Sequence, residues 1–273
     1  MAVLLCGMTT NPDTDHFVCN VLPSTGTTAD WNFDDSRDAG ALGAPAALPA
    51  SVDLRESWWG IHDQESTGSC VGWATADGVA RWHLVKARKA TKTLQLSARH
   101  VWMASKETDE FTTRPQSFIE EAGTSLKAAL DVARKQGVAR EKDLPFHLGA
   151  TMFPGRENVF YASCARRKIS AYYNLRLNLT HWKTWLAEQG PILAAFLVDE
   201  SWDNATATNG KVDTFKPNTV RGGHAIAIVG YRSDGRFIAR NSWGTSWGDD
   251  GFAYLKPAYI RAAFYDEAYG VSI

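Results

Sequence analysis

The spacing of apolar residues changes partway along this 273-residue chain, and that change restricts the folds open to it. From residue 69 to about residue 188, apolar side chains recur every three or four positions, the period of a helix buried on one face. Val71, Ala74, Val79, Trp82 and Val85 predict a helix over 70–88. Ser97 is placed to cap a second one that runs through about Lys106. Thr124 or Ser125 opens a third, which lines up Leu126, Ala129, Leu130 and Ala133 and stops at Gly137. Thr180 opens a fourth with Trp182, Trp185 and Leu186, ended by Gly190-Pro191. Short apolar runs follow over 192–198, 224–231, 236–240 and 251–255, with Ser233-Asp-Gly235 as a hairpin turn. Helices first and strands second predict an α+β chain in two subdomains with a cleft between them.

Residues 1–47 lack either period and read as an extended arm, so the folded domain is expected over 48–273. Its helical subdomain spans about 48–165 and its β subdomain about 166–273. With 29 basic and 30 acidic side chains the chain has no basic stripe for nucleic acid, and no apolar run is long enough to span a membrane. The first eight residues lack the basic lead of a secretion signal. The expected location is the cytoplasm, or outside it by a route that needs no cleaved signal. Asn178-Leu-Thr180 and Asn204-Ala-Thr206 then read as chance matches to a glycosylation pattern.

Four cysteines, at 6, 19, 70 and 164, form neither a disulfide scaffold nor a zinc pattern. A Cys6–Cys19 bridge is permitted and not shown. No histidine spacing suggests a metal, and no cofactor is expected. One cysteine has a distinctive setting. Gly68-Ser69-Cys70 delivers a thiol to the first turn of a helix, where unpaired N–H groups and the helix dipole favour a thiolate. Arg221-Gly-Gly-His224 opens a strand with an imidazole, after two glycines that let another chain pass close. Seventeen residues on, Asn241 offers an amide oxygen to orient that ring, and Trp243 is placed to cover the bond. Cys164, before Arg166, Arg167 and Lys168, is the rival nucleophile but has no histidine near it in sequence.

Together these residues resemble the papain-like cysteine peptidases (peptidase C1), bacterial members in particular. The order Cys70, His224, Asn241 matches, as does Gln64 six residues before the thiol. So do Leu48-Pro-Ala-Ser-Val-Asp-Leu-Arg55, Gly190-Pro-Ile-Leu-Ala-Ala195 and Asn241-Ser-Trp-Gly-Thr-Ser-Trp-Gly-Asp-Asp-Gly251. The likeness covers about residues 48–256. It departs at Thr67, where lysosomal-type relatives carry a cysteine, and at Val71, where an aromatic residue is usual.

The resemblance implies a papain-like fold, with a helical half and an antiparallel, barrel-like β half around an active-site cleft. It implies a thiolate at Cys70, its pKa lowered to roughly 3–4, paired with protonated His224. Asn241 would orient His224, while Gln64 and the Cys70 N–H would hold the oxyanion. Gly123, Thr124 and Ser125 would pair with a polypeptide substrate, near Gly223 and Trp243. Ala195 and Ala225 would line the pocket for the side chain two residues before the cut. The expected activity is endopeptidase cleavage through a thioacyl intermediate. The alternatives are acyl transfer or deamidation on the same residues, or a silent binding module. The arm would act as an intramolecular inhibitor lying across the cleft, or simply as a stabilising extension.

Overall fold

The computed structural model describes residues 14, 16–44, 47–108, 122–147 and 156–273. Its helices are α1 (Phe33–Asp38), α2 (Cys70–Thr75), α3 (Arg81–Lys86), α4 (Ala98–Thr108), α5 (Leu126–Lys135), α6 (Glu157–Cys164), α7 (Leu179–Glu188), α8 (Glu200–Asp203) and α9 (Pro257–Ala263). Its strands are β1 (Val52–Asp53), β2 (Ala171–Asn174), β3 (Ile192–Val198), β4 (Lys211–Val212), β5 (Gly222–Tyr231), β6 (Phe237–Arg240), β7 (Phe252–Leu255) and β8 (Phe264–Ser272).

Among the described residues the strands form one sheet in the order β2-β8-β3-β5-β6-β7-β4, with β1 paired to β5. All pairs are antiparallel except β4 with β7. The path does not return on itself, so the β half is an open sheet. Its central strands are buried on both faces, which explains their nearly unbroken apolar runs. Side chains alternate across the sheet. Ile192, Ala194, Phe196, Ile226 and Ile228 join a core with Trp182 and Trp185 of α7. Leu193, Ala195, Ala225 and Ala227 face the other way, towards α2 and α5.

Small residues on that second face let the first helical segment come close. A Cβ on Gly78 would lie 2.9 Å from the Ala227 Cβ, and one on Gly72 would lie 2.4 Å from the Ala98 carbonyl of α4. The helix predicted over 70–88 is continuous but changes pitch, since α2 passes into α3 through a π-helical turn, Ala76–Ala80. Asp77 lies in that turn. Its carboxylate bridges Arg81 on the same segment and Arg240 at the end of β6. Burial alone would raise its pKa, but Arg240, His62 and Arg81 outweigh it and hold the group below the usual carboxylate range. Replacing Asp77 with alanine would strand two buried guanidinium groups. It should cost about 3–5 kcal/mol, read as a lowered midpoint in a urea melt.

Ser97 caps α4 through the His100 N–H at 3.0 Å, and Ser125 caps α5 through Ala128. Asn178, within one glycosylation-like triplet, caps α7 through Thr180 and His181. Two expectations need correction: among the described residues the β half is an open sheet and not barrel-like, and the arm is not a plain extension. Residues 1–47 are not wholly extended, because α1 has a complete capping box between Asn32 and Asp35. Phe17, Phe33 and Leu42 of the same stretch join the core that holds Trp182 and Trp185. The arm is therefore packed into the domain.

Candidate active site

Cys70 is the first residue of α2 and is fully buried. It packs in one buried cluster with Ala225 of β5, the residue after His224. The helical half and the sheet half thus meet at these two residues. His224 Nε2 lies 2.7 Å from Asn241 Oδ1. That oxygen also accepts the Ser242 backbone N–H at 2.8 Å. A backbone N–H can only donate, so oxygen and not nitrogen occupies this position, and Nε2 must carry the imidazole proton. Nδ1 is left with a free lone pair. It is buried, without a hydrogen-bond partner among the described residues.

Trp243 lies 4.8 Å from the His224 ring, centre to centre, and Trp202 lies 5.8 Å away. These indoles keep water from the His224–Asn241 bond. Gln64 is held on both sides: its Oε1 accepts from Ser242 Oγ, and its Nε2 donates to the Thr67 carbonyl. Sequence reasoning missed Ser242, although it sits inside the Asn241 motif. It also missed Trp202, whose part is set by contacts with residues more than twenty positions away.

Nε2 of Gln64 makes a second bond, to the Val18 carbonyl of the arm at 3.2 Å. From there the arm runs between the two halves. Asn20 presses on Gly123, where a Cβ would lie 1.9 Å from the Asn20 carbonyl. The Val21 N–H donates to Gly223 and the Leu22 N–H donates to Thr124. Val21 joins the apolar cluster that contains Ala195 and Ala225. At the other end Phe17 stacks on Trp243, with centroids 4.7 Å apart and planes 2° from parallel. Gly123, Thr124, Gly223 and Trp243 therefore contact the arm, Ala195 and Ala225 share a cluster with Val21, and Ser125 is engaged as the α5 cap. Arg221 helps to moor the arm. Its guanidinium bonds Asp203 and the Thr14 carbonyl, and Thr14 Oγ1 reaches the same carboxylate.

Enclosure sets the charge state. Burial pushes the Cys70 thiol up to about 12, against the Ala225 and Val71 N–H groups that lower it. Burial brings His224 down to about 4, although the Asn241 bond favours its charged form. Burial therefore favours the neutral form of both groups. The thiolate–imidazolium pair implied by the resemblance would need water to return. Cys164, the rival thiol, packs with Phe160 in a small cluster separate from the one that holds Cys70. Cys19 is a free thiol, and Cys6 lies outside the described residues. No described helix is long and apolar enough to cross a membrane.

The sequence pattern of the papain family of cysteine proteases matches residues 48–267, and the chain belongs to that family. It is a peptidase of the cysteine type. Macrodontain-1 of Ananas macrodontes is 27% identical over 211 residues, covering 77% of this chain and 90% of that one. Procathepsin L of Felis catus is 26% identical over 234 residues, covering 78% of this chain and 62% of the longer protein. Among solved structures, xylellain, a cysteine protease from Xylella fastidiosa, is similar with a TM-score of 0.76 at 23% identity, over 94% of this chain and 96% of that one. Digestive procathepsin L 3 of Tenebrio molitor larval midgut gives 0.67 at 16%, over 93% and 76%. The solved structures establish the papain-like, two-part fold.

Proposed function

We propose that the chain is an endopeptidase in which Cys70 is the nucleophile and His224 the proton carrier, with the arm as a built-in block. The observation that carries this reading is the tautomer fixed at His224. With the proton on Nε2, the lone pair on Nδ1 is left to take the Cys70 proton once the site opens. The thiolate then attacks a peptide carbonyl, and His224 returns the proton to the leaving amine. Water, deprotonated by the same ring, releases the acyl group. Asn241 keeps the ring in place. Gln64 Nε2 and the Cys70 N–H receive the oxyanion, at the place where the Val18 carbonyl now meets Gln64.

The arm's direction supports its role as a block. In the substrate orientation implied by the family resemblance, residues before the cut lie against Gly123, Ala195 and Ala225. In the arm, the residues on that side are Asn20 and Val21, which come after Val18. The arm thus runs opposite to a substrate, and its peptide bonds are presented backwards to the thiol. Procathepsins, proteins with a preceding segment of their own, are among the similar solved structures.

Cleavage profiling on a peptide library tests the reading. Hydrolysed fragments with free carboxyl ends are expected. Products joined to an added amine, or side-chain deamidation without cleavage, would replace it with acyl transfer or deamidation. Gln64→Ala should lower kcat by about 100–1000-fold with a smaller change in KM, measured on the best library peptide.

A further inference from the structure

We propose that Tyr259 and Asp199 are positioning residues of the site: together they hold the Trp202 indole against His224, and that indole keeps the imidazole on Asn241. The inference rests on the reading of His224 as the proton carrier and deepens it, and its decisive measurement needs no substrate.

The need for such a support follows from where Trp202 sits. It belongs to α8, a helix of four residues. A single turn has almost no stability of its own, so it cannot fix a large side chain unaided. Yet the indole is fully buried and meets three rings of the site. It stands at 84° to the His224 ring, with centres 5.8 Å apart. It lies 5.8 Å from Trp243, the other indole beside His224, and stacks on Trp247 at 5.5 Å. A shift of Trp202 would therefore loosen the packing of both His224 and Trp243.

Bonds from other elements set its place. Trp247 Nε1–H donates to the Trp202 carbonyl at 2.9 Å. Trp202 Nε1–H donates to Tyr259 Oη of α9 at 2.7 Å. An indole N–H can only donate, so Oη accepts it and turns its own proton elsewhere. Asp199 Oδ1 lies 2.9 Å away, nearer than the Leu197 carbonyl at 3.2 Å. The Asp199 carboxyl is pinned in turn by the Lys216 backbone N–H on Oδ2. All three side chains of the chain Trp202–Tyr259–Asp199 are buried. The chain ties α8 through α9 to the residue that follows β3, the strand whose Phe196 pairs with His224. Removing Oη would leave a buried indole donor unpaired, and that cost drives the ring out of place.

The test follows solvent exchange of the His224 Nε2 proton by NMR in the full chain, with the signal assigned by its loss in His224→Ala. Tyr259→Phe keeps the ring at 259 and removes Oη alone. Trp202→Phe deletes the indole N–H and serves where Tyr259→Phe does not fold. Phe215→Leu is the control, because Phe215 packs on the Tyr259 ring at 5.9 Å and makes none of these bonds. It should lower the thermal midpoint and leave exchange unchanged. In Tyr259→Phe and Trp202→Phe, exchange should quicken by at least about tenfold. On the best library peptide, kcat should fall by about 10–100-fold while KM stays within about twofold. Three results would overturn the proposal: unchanged exchange in folded Tyr259→Phe (or in Trp202→Phe where that one serves), equal quickening in Phe215→Leu, or quickened exchange with kcat unaltered. Quickened exchange in a protein whose unaltered chain cleaves no library peptide would uphold the hold on His224 and remove the peptidase reading instead.

Discussion

Cys70→Ala is expected to lower turnover by about 10⁴-fold or more while leaving the fold intact. The loss is large because no neighbouring side chain can take over. Cys164 is enclosed in a separate small cluster with Phe160, and Cys19 belongs to the arm. Losing the nucleophile leaves only the oxyanion donors and substrate positioning. The fold should survive because the sulfur sits at a helix start and alanine suits that backbone. Activity on the best library peptide and a thermal melt check both halves. Appreciable residual turnover in a well-folded variant would remove Cys70 from the mechanism.

The second large effect should follow from loosening the arm. Cutting the chain at residue 48 is a poor way to do this, because Phe33 and Leu42 would leave the core with it. Val21→Asp combined with Phe17→Ala acts locally. An aspartate at 21 would put an unpaired charge in the cluster with Ala195 and Ala225, at a cost of several kcal/mol. Losing the Phe17–Trp243 stack removes a further ~0.5–1.5 kcal/mol. With water readmitted, the proton can pass from Cys70 to His224. Labelling of Cys70 by iodoacetamide at pH 6 should then rise by at least about 100-fold.

The pH dependence should differ as well. In the closed chain, a thiol held at about 12 gives a rate that climbs roughly tenfold per pH unit from 6 to 10. The loosened variant should be nearly flat from pH 5 to 8, since its sulfur is already ionised. Equal labelling in the two proteins across this range would mean that the arm does not control the thiol.

The local settings of the candidate site's residues were legible in sequence because they depend on nearby chain chemistry. Glycines precede His224, a helix begins at Cys70, and the asparagine motif keeps its own turn. The central strands were legible for the same reason, as unbroken apolar runs. β8 was not, although it is paired on both sides, between β2 and β3. Asp266 and Glu267 interrupt its apolar pattern, and Asp266 has a positive φ of 57°. Glu267 is tolerated there because its carboxylate accepts the Ser24 N–H of the arm.

The course of the arm was the least legible part. Its partners, Gln64, Thr124, Asp203, Arg221 and Gly223, are between 46 and 207 positions away. No periodicity can report such contacts. The charge state of the site was hidden for the same reason, since it is the arm that helps to exclude solvent.

The arm and the groove belong to one polypeptide, and this alters how occupancy responds to circumstances. A separate inhibitor falls away on dilution, whereas a tethered one keeps an effective concentration in about the millimolar range however few molecules are present. Three backbone contacts and one stacked ring can then suffice, even if the same peptide added in trans would bind poorly. On the proposed reading of the arm as a block, dilution alone would not free the enzyme; something would have to alter the tethered segment itself.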